Sequence, residues 1–432
     1  MSIFDKIIGY SDIKSELEQL ADVLKGNEMY KKLGVKPPKG LLLCGDPGLG
    51  KTLMADCLIR ASGRIWFTCR KDLPNREFVK HLRETFLKAK NAAPSIVFLD
   101  DMDKFANEDI HHRNAEEYVA VQSCIDEAKD WDVFVVATAN DVLNMPDSLL
   151  RAGRFDRVIE VERPSGEDAE AIMAHYAKGR PLSEDLDGKL VSRLLDNCSC
   201  AELETVINEA GLYAGFDRSA VVKTDHFLKA CLKQVHELPA YALNHIGQKT
   251  DDRSKGQVAL HEAGHVVVSE VLDPGSVSMA VIYKAQPDST FSGLVTTRSS
   301  QDVLPLERKE IKIRTALGGK AAVETVLGNH DVGADDDIDN AFMIVRHLVR
   351  DTCIQGFKNF SYRREDSQQL KYNQEMCAAE KVEEYYREVK RIIAQNQVFL
   401  ERIAAELMEK DVLTLCDIAR IKEEIQNKNN AA

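Results

Sequence analysis

The sequence predicts an α/β domain built on a parallel sheet, then a helical subdomain, then a second domain that is mainly α-helical. Short apolar strands alternate with amphipathic helices through the first third of the chain, and the pattern turns wholly helical near residue 165. Alternation of this kind is typical of a parallel sheet covered by helices on both faces. With about 100–200 residues per domain, the 432 residues are enough for two to four domains.

Four apolar runs are the predicted strands of the sheet: Gly40–Cys44, Arg64–Thr68, Ser95–Leu99 and Val133–Thr138. Helical patterns lie between them at Arg76–Ala92 and Asn114–Ala128. We therefore predict a sheet domain at 1–164, a helical subdomain at 165–238, a polar linker at 239–253 and a second domain at 254–432. In that second domain we expect a helix at Ser254–Val271 and a strand-like region at Ser278–Thr297, with long charged helices at the end.

Charge and composition exclude several classes of protein. Asp and Glu number 70 against 57 Lys and Arg, a net charge of −13. Binding to nucleic acid or to an anionic membrane surface requires clustered positive charge, so neither is expected. No apolar run approaches the roughly 18 residues of a membrane span, the first residues do not resemble a signal peptide, and the ten cysteines form no CxxC pair. We expect a cytoplasmic protein with reduced thiols, or a membrane-associated one if an anchor has been removed from its start.

The segment from Gly45 to Thr52 fits the phosphate-binding pattern GxxxxGK[ST]. It directly follows a predicted strand and opens a helical stretch, which is the context that the motif requires. Glycines let backbone N–H groups surround phosphate oxygens, while Lys51 would contact the β- and γ-phosphates and Thr52 would bind Mg²⁺. Asp100 and Asp101 end the strand Ser95–Leu99, where Asp100 would hold Mg²⁺ through water and Asp101 would orient or deprotonate the attacking water. The predicted nucleotide contacts are Gly45, Asp46, Pro47, Gly48, Leu49, Gly50, Lys51, Thr52, Leu53 and Asp100.

These residues resemble the AAA+ ATPases and, within them, the FtsH-type proteases. The resemblance matches Asn140, at the end of VFVVATAN, to the sensor asparagine that helps to position the water at the γ-phosphate. It matches the segment LRAGRFD to the family's LRxGRFD, where Arg151 and Arg154 would reach the ATP of a neighbouring subunit as arginine fingers. It therefore implies a homo-hexameric ring that hydrolyses ATP with Mg²⁺. Without the resemblance, both arginines could lie in a solvated loop.

His261, Glu262 and His265 form an HExxH pattern within the predicted helix Ser254–Val271. Spacing of four residues places both imidazoles on one helical face, where they can share one Zn²⁺ ion. Glu262 can then act as general base toward the metal-bound water. The alternative is a helix with two surface histidines. Gly264 costs about 1 kcal/mol relative to alanine in a helix, which predicts a steric purpose for it.

A catalytic zinc needs a third protein ligand and an open position. The run VGADDDIDNA resembles the FtsH-type segment whose aspartate completes the site, and that alignment places the ligand on Asp337. Asp335 and Asp336 could instead cap the following helix. The resemblance also matches Gly318-Gly319-Lys320 to a GGRxA-like stretch, and Ser278–Thr297 to an edge strand that holds an extended peptide. Gly293 suits close backbone approach, although an ordinary hairpin remains the alternative.

Two departures from the family bear on function. Asp101 stands where the family has glutamate, which predicts weakened hydrolysis because aspartate is one methylene shorter. The segment after the second strand is shorter than the family's pore loop, and Phe78 is the aromatic left to grip substrate unless it packs on its own helix. The leading hypothesis is an ATP-dependent zinc endopeptidase that unfolds and degrades proteins, with one Zn²⁺ per subunit. The alternatives are a zinc peptidase with weak or uncoupled ATPase, and a regulatory ATPase with a vestigial peptidase.

Overall fold

The computed structural model of the protein describes residues 2–26, 28–34, 36–106, 115–141, 145–146, 148–151, 153–184, 186–248, 253–298, 304–328, 333–354, 356–361 and 367–431. Asn114 of a predicted helix, Ala152 in the arginine segment and residues 249–252 of the predicted linker lie outside these ranges.

The elements up to residue 216 are α1 (Ser11–Leu24), α2 (Glu28–Lys32), β1 (Gly40–Cys44), α3 (Lys51–Ser62), β2 (Ile65–Cys69), α4 (Asn75–Asn91), β3 (Ser95–Leu99), α5 (Ala115–Ala128), β4 (Val133–Ala139), β5 (Arg157–Glu160), α6 (Gly166–Ala177), α7 (Gly188–Leu194) and α8 (Cys200–Phe216).

The remaining elements are α9 (Thr224–Gln234), α10 (Ala240–His245), α11 (Arg253–Leu272), β6 (Val277–Lys284), β7 (Phe291–Thr297), α12 (Pro305–Ala316), α13 (Gly318–Leu327), α14 (Asp335–Arg350), α15 (Gln368–Gln395), α16 (Gln397–Lys410), β8 (Val412–Thr414) and α17 (Leu415–Ala431).

The chain forms two compact units. The first consists of Met1–Leu182 with Asn197–Val222, and the second of Ser183–Asp196 with Lys223–Ala432. By their contacts, α6 and α8 belong to the first unit, whereas α7 and α9 belong to the second. The residues predicted as one helical subdomain, 165–238, are thus shared between the units. Within the predicted linker the structure has the helix α10, whose Ala242 and Leu243 are buried against β6.

The first unit contains a five-stranded parallel sheet in the order β2-β3-β4-β1-β5. The three central strands β1, β3 and β4 are buried along their whole length, while the edge strands β2 and β5 are partly exposed. Runs of Leu, Ile and Val form these central strands because helices cover both faces of the sheet. In a parallel sheet all carboxyl ends lie at one edge, so the loops after β1, β3 and β4 meet there.

The second unit is mainly helical around α11, whose residues Ala263, Val266 and Val267 are fully buried in its core. A small antiparallel sheet of order β7-β6-β8 packs beside α11, and β7 is one of its edges. The fold class predicted from the sequence, a parallel-sheet P-loop module with helices followed by a mainly helical domain, is confirmed.

Candidate functional site

The glycine-rich loop after β1 adopts backbone conformations that need glycine. Gly45 has φ +138°, and a Cβ there would collide with the carbonyl oxygen of Val161. Gly50, at φ +84°, immediately precedes the first residue of α3. Left-handed glycines in this turn let the chain pass from β1 into α3 and direct N–H groups at the helix N-terminus toward a bound anion. The loop therefore has the form of a phosphate-binding site.

Lys51, Thr52 and Asp100 lie together at the carboxyl edge of the sheet. Lys51 is buried, and its Nζ donates to the carbonyl oxygens of Gly45 (2.7 Å) and Asp46 (2.6 Å). Burial lowers the pKa of Lys51, an effect that the nearby carboxylates of the site oppose. Thr52 Oγ1 donates to Asp100 Oδ1 at 3.2 Å. A hydroxyl beside a carboxylate next to a phosphate loop is a donor set suited to Mg²⁺.

Asp101 is the second residue after β3 and has φ +53°. Its backbone N–H donates to Thr138 Oγ1 at 2.9 Å. Its carboxylate is 40% exposed and pairs with Lys104 at 2.7 Å. Asn140 directly follows β4 and is held by a backbone hydrogen bond to Asp103 Oδ1. The structure thus brings Asp100, Asp101 and Asn140 to the edge of the sheet that carries the glycine-rich loop.

The two predicted arginine fingers differ in their surroundings. Arg154 is largely buried and forms a bidentate pair with Asp126 of α5, with Nε at 2.8 Å and Nη2 at 2.7 Å. It also donates to the carbonyl of Ser148. Hydrogen bonds from Arg154 lower the pKa of Asp126 to about 2. Arg151 is exposed. Only Arg151 therefore stands ready, in this conformation, to reach a neighbouring molecule.

Phe78 is not available to grip a substrate. It lies on the inner face of α4, fully buried, with its ring centroid 4.8 Å from that of Phe105. Phe78 instead packs into the core of the sheet domain, against Phe105 from outside its own helix. The reason is local, because the buried residues of α4 recur at helical spacing and form one face: Phe78, Leu82, Thr85, Phe86 and Ala89.

In the second unit, three side chains converge on one point. His261 and His265 project from the same face of α11, and their Nε2 atoms are 3.0 Å apart. Asp337, from the first turn of α14, places Oδ2 at 3.0 Å from Nε2 of His261 and 3.2 Å from Nε2 of His265. Although burial alone would raise the pKa of Asp337, the hydrogen bonds with both histidines hold it well below its usual value.

This donor set fits zinc. A tetrahedral Zn²⁺ with bonds of about 2.0–2.1 Å separates its ligand atoms by about 3.3 Å, close to the three separations found here. His265 also donates from Nδ1 to the carbonyl oxygen of Thr315 at 2.7 Å, which fixes the tautomer that leaves Nε2 free of its proton for a metal. Among the residues that the structure describes, His261, His265 and Asp337 are the cluster with metal-ligand spacing.

Glu262 follows His261 on α11 and is buried against β7. A Cβ on Gly293 would overlap the Glu262 carboxylate, so this strand can pass over Glu262 only because position 293 has no side chain. The close approach at Gly293 is thus to the side chain of Glu262, and β6 and β7 form an antiparallel pair. The carboxylate consequently lies between the histidine face of α11 and the strand β7.

Glycines also explain how α11 meets α13. A Cβ on Gly264 would lie 2.7 Å from Cβ of Ala322 and collide with the carbonyl of Gly318, while one on Gly319 would lie 2.5 Å from the His261 ring. Gly264 therefore has the steric purpose expected for it, and the Gly318–Gly319 pair leaves room for the His261 imidazole. These small residues set the height of the histidine face above α13.

A cleft of about 1240 Å³ opens over these side chains. Its lining includes Gly293 and Val295 of β7, Lys312 of α12 and Met343 of α14. The cleft is large enough for several residues of extended polypeptide, since pockets for single small molecules commonly measure about 300–1000 Å³.

Comparisons with known proteins match both parts of the chain. Residues 41–163 match the family model of the ATPase family associated with various cellular activities (AAA), and residues 248–421 match that of peptidase family M41. The chain is 27% identical to "ATP-dependent zinc metalloprotease FtsH 1" of Methylacidiphilum infernorum, over 99% of this chain and 71% of that protein. It is 29% identical to "ATP-dependent zinc metalloprotease FtsH 2" of Symbiobacterium thermophilum, over 97% and 74%. The chain belongs to the FtsH-type family of ATP-dependent zinc metalloproteases.

A third relative, "ATP-dependent zinc metalloprotease FtsH 2" of a Thermoanaerobacter species, is 26% identical over 98% of this chain and 83% of its own length. As an FtsH-type protein, the chain is a metalloprotease with an ATPase domain, and its cofactors are Zn²⁺ and ATP with Mg²⁺. Within the described residues, none of the helices combines the length and apolar character needed to cross a bilayer.

Several residues of these FtsH-type sites were not singled out by the sequence. Thr138 donates to Asp100 Oδ1 at 2.7 Å, and Thr315 orients His265 through its carbonyl. Asp126 holds Arg154. A buried threonine near the end of an apolar strand was a usable signal for Thr138. A backbone carbonyl and a partner on a distant helix leave no local pattern.

Proposed function

We propose that this chain is an endopeptidase that cleaves unfolded polypeptides at the His261–His265–Asp337 site and uses ATP to deliver them, as a homo-hexameric ring. The observation that carries the proposal is the convergence of three ligand atoms within 3.0–3.2 Å of one another at the floor of an open cleft. Bound there, Zn²⁺ would supply an activated water and polarise the scissile carbonyl.

Glu262 would act as general base toward that water and then return the proton to the leaving amine. Its position supports this role, since it is adjacent to a ligand in sequence, buried, and covered by the backbone of Gly293. Asp337 would contribute a negative charge to the ligand set, and Thr315 would keep the His265 ring oriented.

Strand β7 would hold the substrate as an added strand. It is an edge of its three-stranded sheet and lines the cleft beside Glu262. Main-chain hydrogen bonds along such an edge give affinity with little dependence on sequence. Extended protein segments are therefore the proposed substrates, while nucleic acid is not expected for a chain with a net charge of −13.

In the ATPase domain, we assign phosphate binding to Gly45, Asp46, Pro47, Gly48, Leu49, Gly50, Lys51 and Leu53, and the Mg²⁺ contacts to Thr52 and Asp100. Asp101 and Asn140 would position the attacking water. Arg151 would serve as the arginine finger toward the next subunit, because it is exposed. Arg154 could serve only after leaving Asp126.

Two observations favour a second candidate, a zinc peptidase only weakly coupled to ATP hydrolysis. The segment after β2 offers no exposed aromatic, since Phe78 is buried, and Asp101 is engaged by Lys104. Such an enzyme would cleave flexible chains without a motor. The cytoplasmic location stays a prediction.

The deciding experiment measures degradation of a fluorescently labelled unfolded protein and of a labelled folded one, each with and without ATP, in the presence of Zn²⁺. We expect ATP to be required for the folded substrate, and Glu262→Gln to abolish cleavage of both while leaving ATPase activity and zinc content at wild-type levels. Glu307→Gln, an exposed glutamate of α12, is the matched control. Equal cleavage with and without ATP would select the weakly coupled peptidase, and cleavage by Glu262→Gln would remove the zinc site from the mechanism.

A further inference from the structure

The side chain of Arg70 contacts the carboxylate proposed to hold Mg²⁺. Its Nη2 lies 2.5 Å from Oδ2 of Asp100. The pairing of β2 with β3 explains this contact, because Cys69 and Leu99 are partners at the ends of the two parallel strands. The backbone N–H of Asp100 also donates to the carbonyl of Cys69 at 3.2 Å. Arg70 and Asp100 directly follow these two strands and therefore lie side by side.

The arginine covers the outward oxygen of Asp100. Oδ1 already accepts hydrogen bonds from Thr138 and Thr52, whereas Oδ2 meets the guanidinium. The Asp100 side chain is only 6% exposed, but that of Arg70 is 60% exposed. The almost wholly buried carboxylate of Asp100 is thus paired, through Oδ2, with the guanidinium of a side chain that is itself largely exposed.

The backbone that carries Arg70 is held in place. Lys71 forms an ion pair with the fully buried Glu117 of α5 at 2.7 Å, and the Asp72 N–H donates to the Arg70 carbonyl at 3.0 Å. Removing a buried carboxylate's partner is costly, so Lys71 anchors this short segment firmly. Arg70 consequently has a fixed base and a side chain that can move without disturbing the fold.

We propose that Arg70 is a latch that competes with Mg²⁺ for Asp100. The guanidinium neutralises the carboxylate when no metal–nucleotide complex is bound, and it must leave when Mg²⁺ enters. A guanidinium paired with this carboxylate and a Mg²⁺ ion held by the same carboxylate, directly or through water, would repel each other strongly. The inference rests on the proposed role of Asp100 in the nucleotide site, and it assigns to Arg70 control over how much Mg²⁺ that site needs.

The test is a Mg²⁺ titration of nucleotide binding. Binding of a fluorescent N-methylanthraniloyl-ADP to the full chain is measured by anisotropy at increasing free Mg²⁺, starting from an EDTA baseline. Arg70→Met removes the charge and keeps the length of the side chain. Arg76→Met is the matched control. Arg76 is exposed at the start of α4, and its substitution removes the same charge six residues further along the chain. Arg70→Lys keeps the charge.

For Arg70→Met we expect the half-saturating Mg²⁺ concentration to fall about fivefold, which corresponds to the roughly 1 kcal/mol of a partly exposed ion pair. Affinity at saturating Mg²⁺ should equal or exceed that of the wild type, Arg76→Met should not shift the midpoint, and Arg70→Lys should stay near the wild type. Circular dichroism melts verify that each variant is folded.

Two outcomes would overturn the latch. An unchanged midpoint in Arg70→Met would mean that the arginine does not oppose Mg²⁺. Weaker binding at saturating Mg²⁺ would make Arg70 a phosphate contact instead. Wild-type protein that binds no analogue at any Mg²⁺ concentration would contradict the ATP site itself, a result distinct from either of the other two.

Discussion

The zinc-type site and the nucleotide site differ in how much of their chemistry one chain supplies. In the second unit, His261, His265 and Asp337 bring their ligand atoms together within a single chain, and Glu262 lies next to them. In the first unit, by contrast, Arg154 is turned toward Asp126, Arg151 is exposed, and Arg70 covers Asp100.

In the proposed ring, the two halves would therefore depend on assembly to different degrees. A zinc site whose ligands are set by glycine-mediated helix packing requires no partner to be complete. The proposed ATPase site, whose arginines are paired within the chain or point outward, would be completed by a neighbour, a nucleotide or both. We therefore expect a substitution in the peptidase site to impair only the chain that carries it. We expect a substitution of an arginine finger to impair ATP hydrolysis at the site of the neighbouring chain.

The largest expected effect belongs to Arg151. Arginine fingers contribute about 10³–10⁵ in kcat, so Arg151→Ala should reduce steady-state ATPase activity by at least about 10³-fold. Arg154→Ala is the paired control. Because Arg154 is largely buried and bonded within its own chain, its loss should lower the free energy of unfolding by about 1.5–3 kcal/mol, together with a smaller effect on ATPase activity.

An experiment that mixes two variants distinguishes an arginine that acts on a neighbouring subunit from one that acts on its own nucleotide site. Lys51→Ala protein cannot use its own nucleotide site but still presents Arg151, and Arg151→Ala protein is its complement. If the finger acts on a neighbour, an equimolar mixture should hydrolyse ATP faster than either variant alone. No recovery in co-assembled mixtures would contradict the assignment of Arg151 to a neighbouring site.

The next effect is on metal retention. Asp337→Asn should weaken zinc binding by roughly 10³-fold, because a few ligands share the total of about 10–16 kcal/mol found for well-formed zinc sites. Asp336→Asn, in the same first turn of α14, changes the same charge without removing a ligand. Zinc content after dialysis and competition with a chromophoric chelator measure the difference. Equal losses in both variants would indicate a general charge effect instead of ligation.

The smallest expected effect is an increase in the kcat of ATP hydrolysis. Asp101→Glu restores the longer carboxylate that the family carries and extends its reach past Lys104. Since a misplacement of about 1 Å can cost 10²-fold, we expect kcat for ATP to rise roughly tenfold. Asp72→Glu, an exposed aspartate lengthened in the same way, should leave kcat unchanged. A fall in kcat for Asp101→Glu would show that this site is built around the shorter side chain.

Much of this could be predicted from the sequence because the signals are local. The strands β1, β3 and β4 follow from apolar runs, and the glycine-rich loop follows from its place after β1. The HExxH spacing fixes both histidines on one face of α11. Alignment on Gly333 and Ala334 selected Asp337 among four nearby aspartates, and this is the residue that the structure brings to the histidines.

Other features depend on partners that are distant in the chain. The pairing of Arg154 with Asp126 joins a loop to α5 across 28 residues. Strand β8 is three residues long and pairs with β6 from more than a hundred residues away, so no local pattern indicated it. The contact of Arg70 with Asp100 was within reach of sequence reasoning, since it follows once β2 and β3 are known to be parallel and in register.

Strand β7, an edge strand lying over Glu262, has a consequence for which proteins such an enzyme destroys. An edge strand that pairs with backbone N–H and C=O groups can bind only a segment whose own backbone hydrogen bonds are broken. Segments of folded proteins open with free energies that range from near zero up to the global stability. The lifetime of a substrate protein would then depend on how often one of its segments unfolds locally. The cleft would therefore select substrates by their conformational stability more than by their sequence.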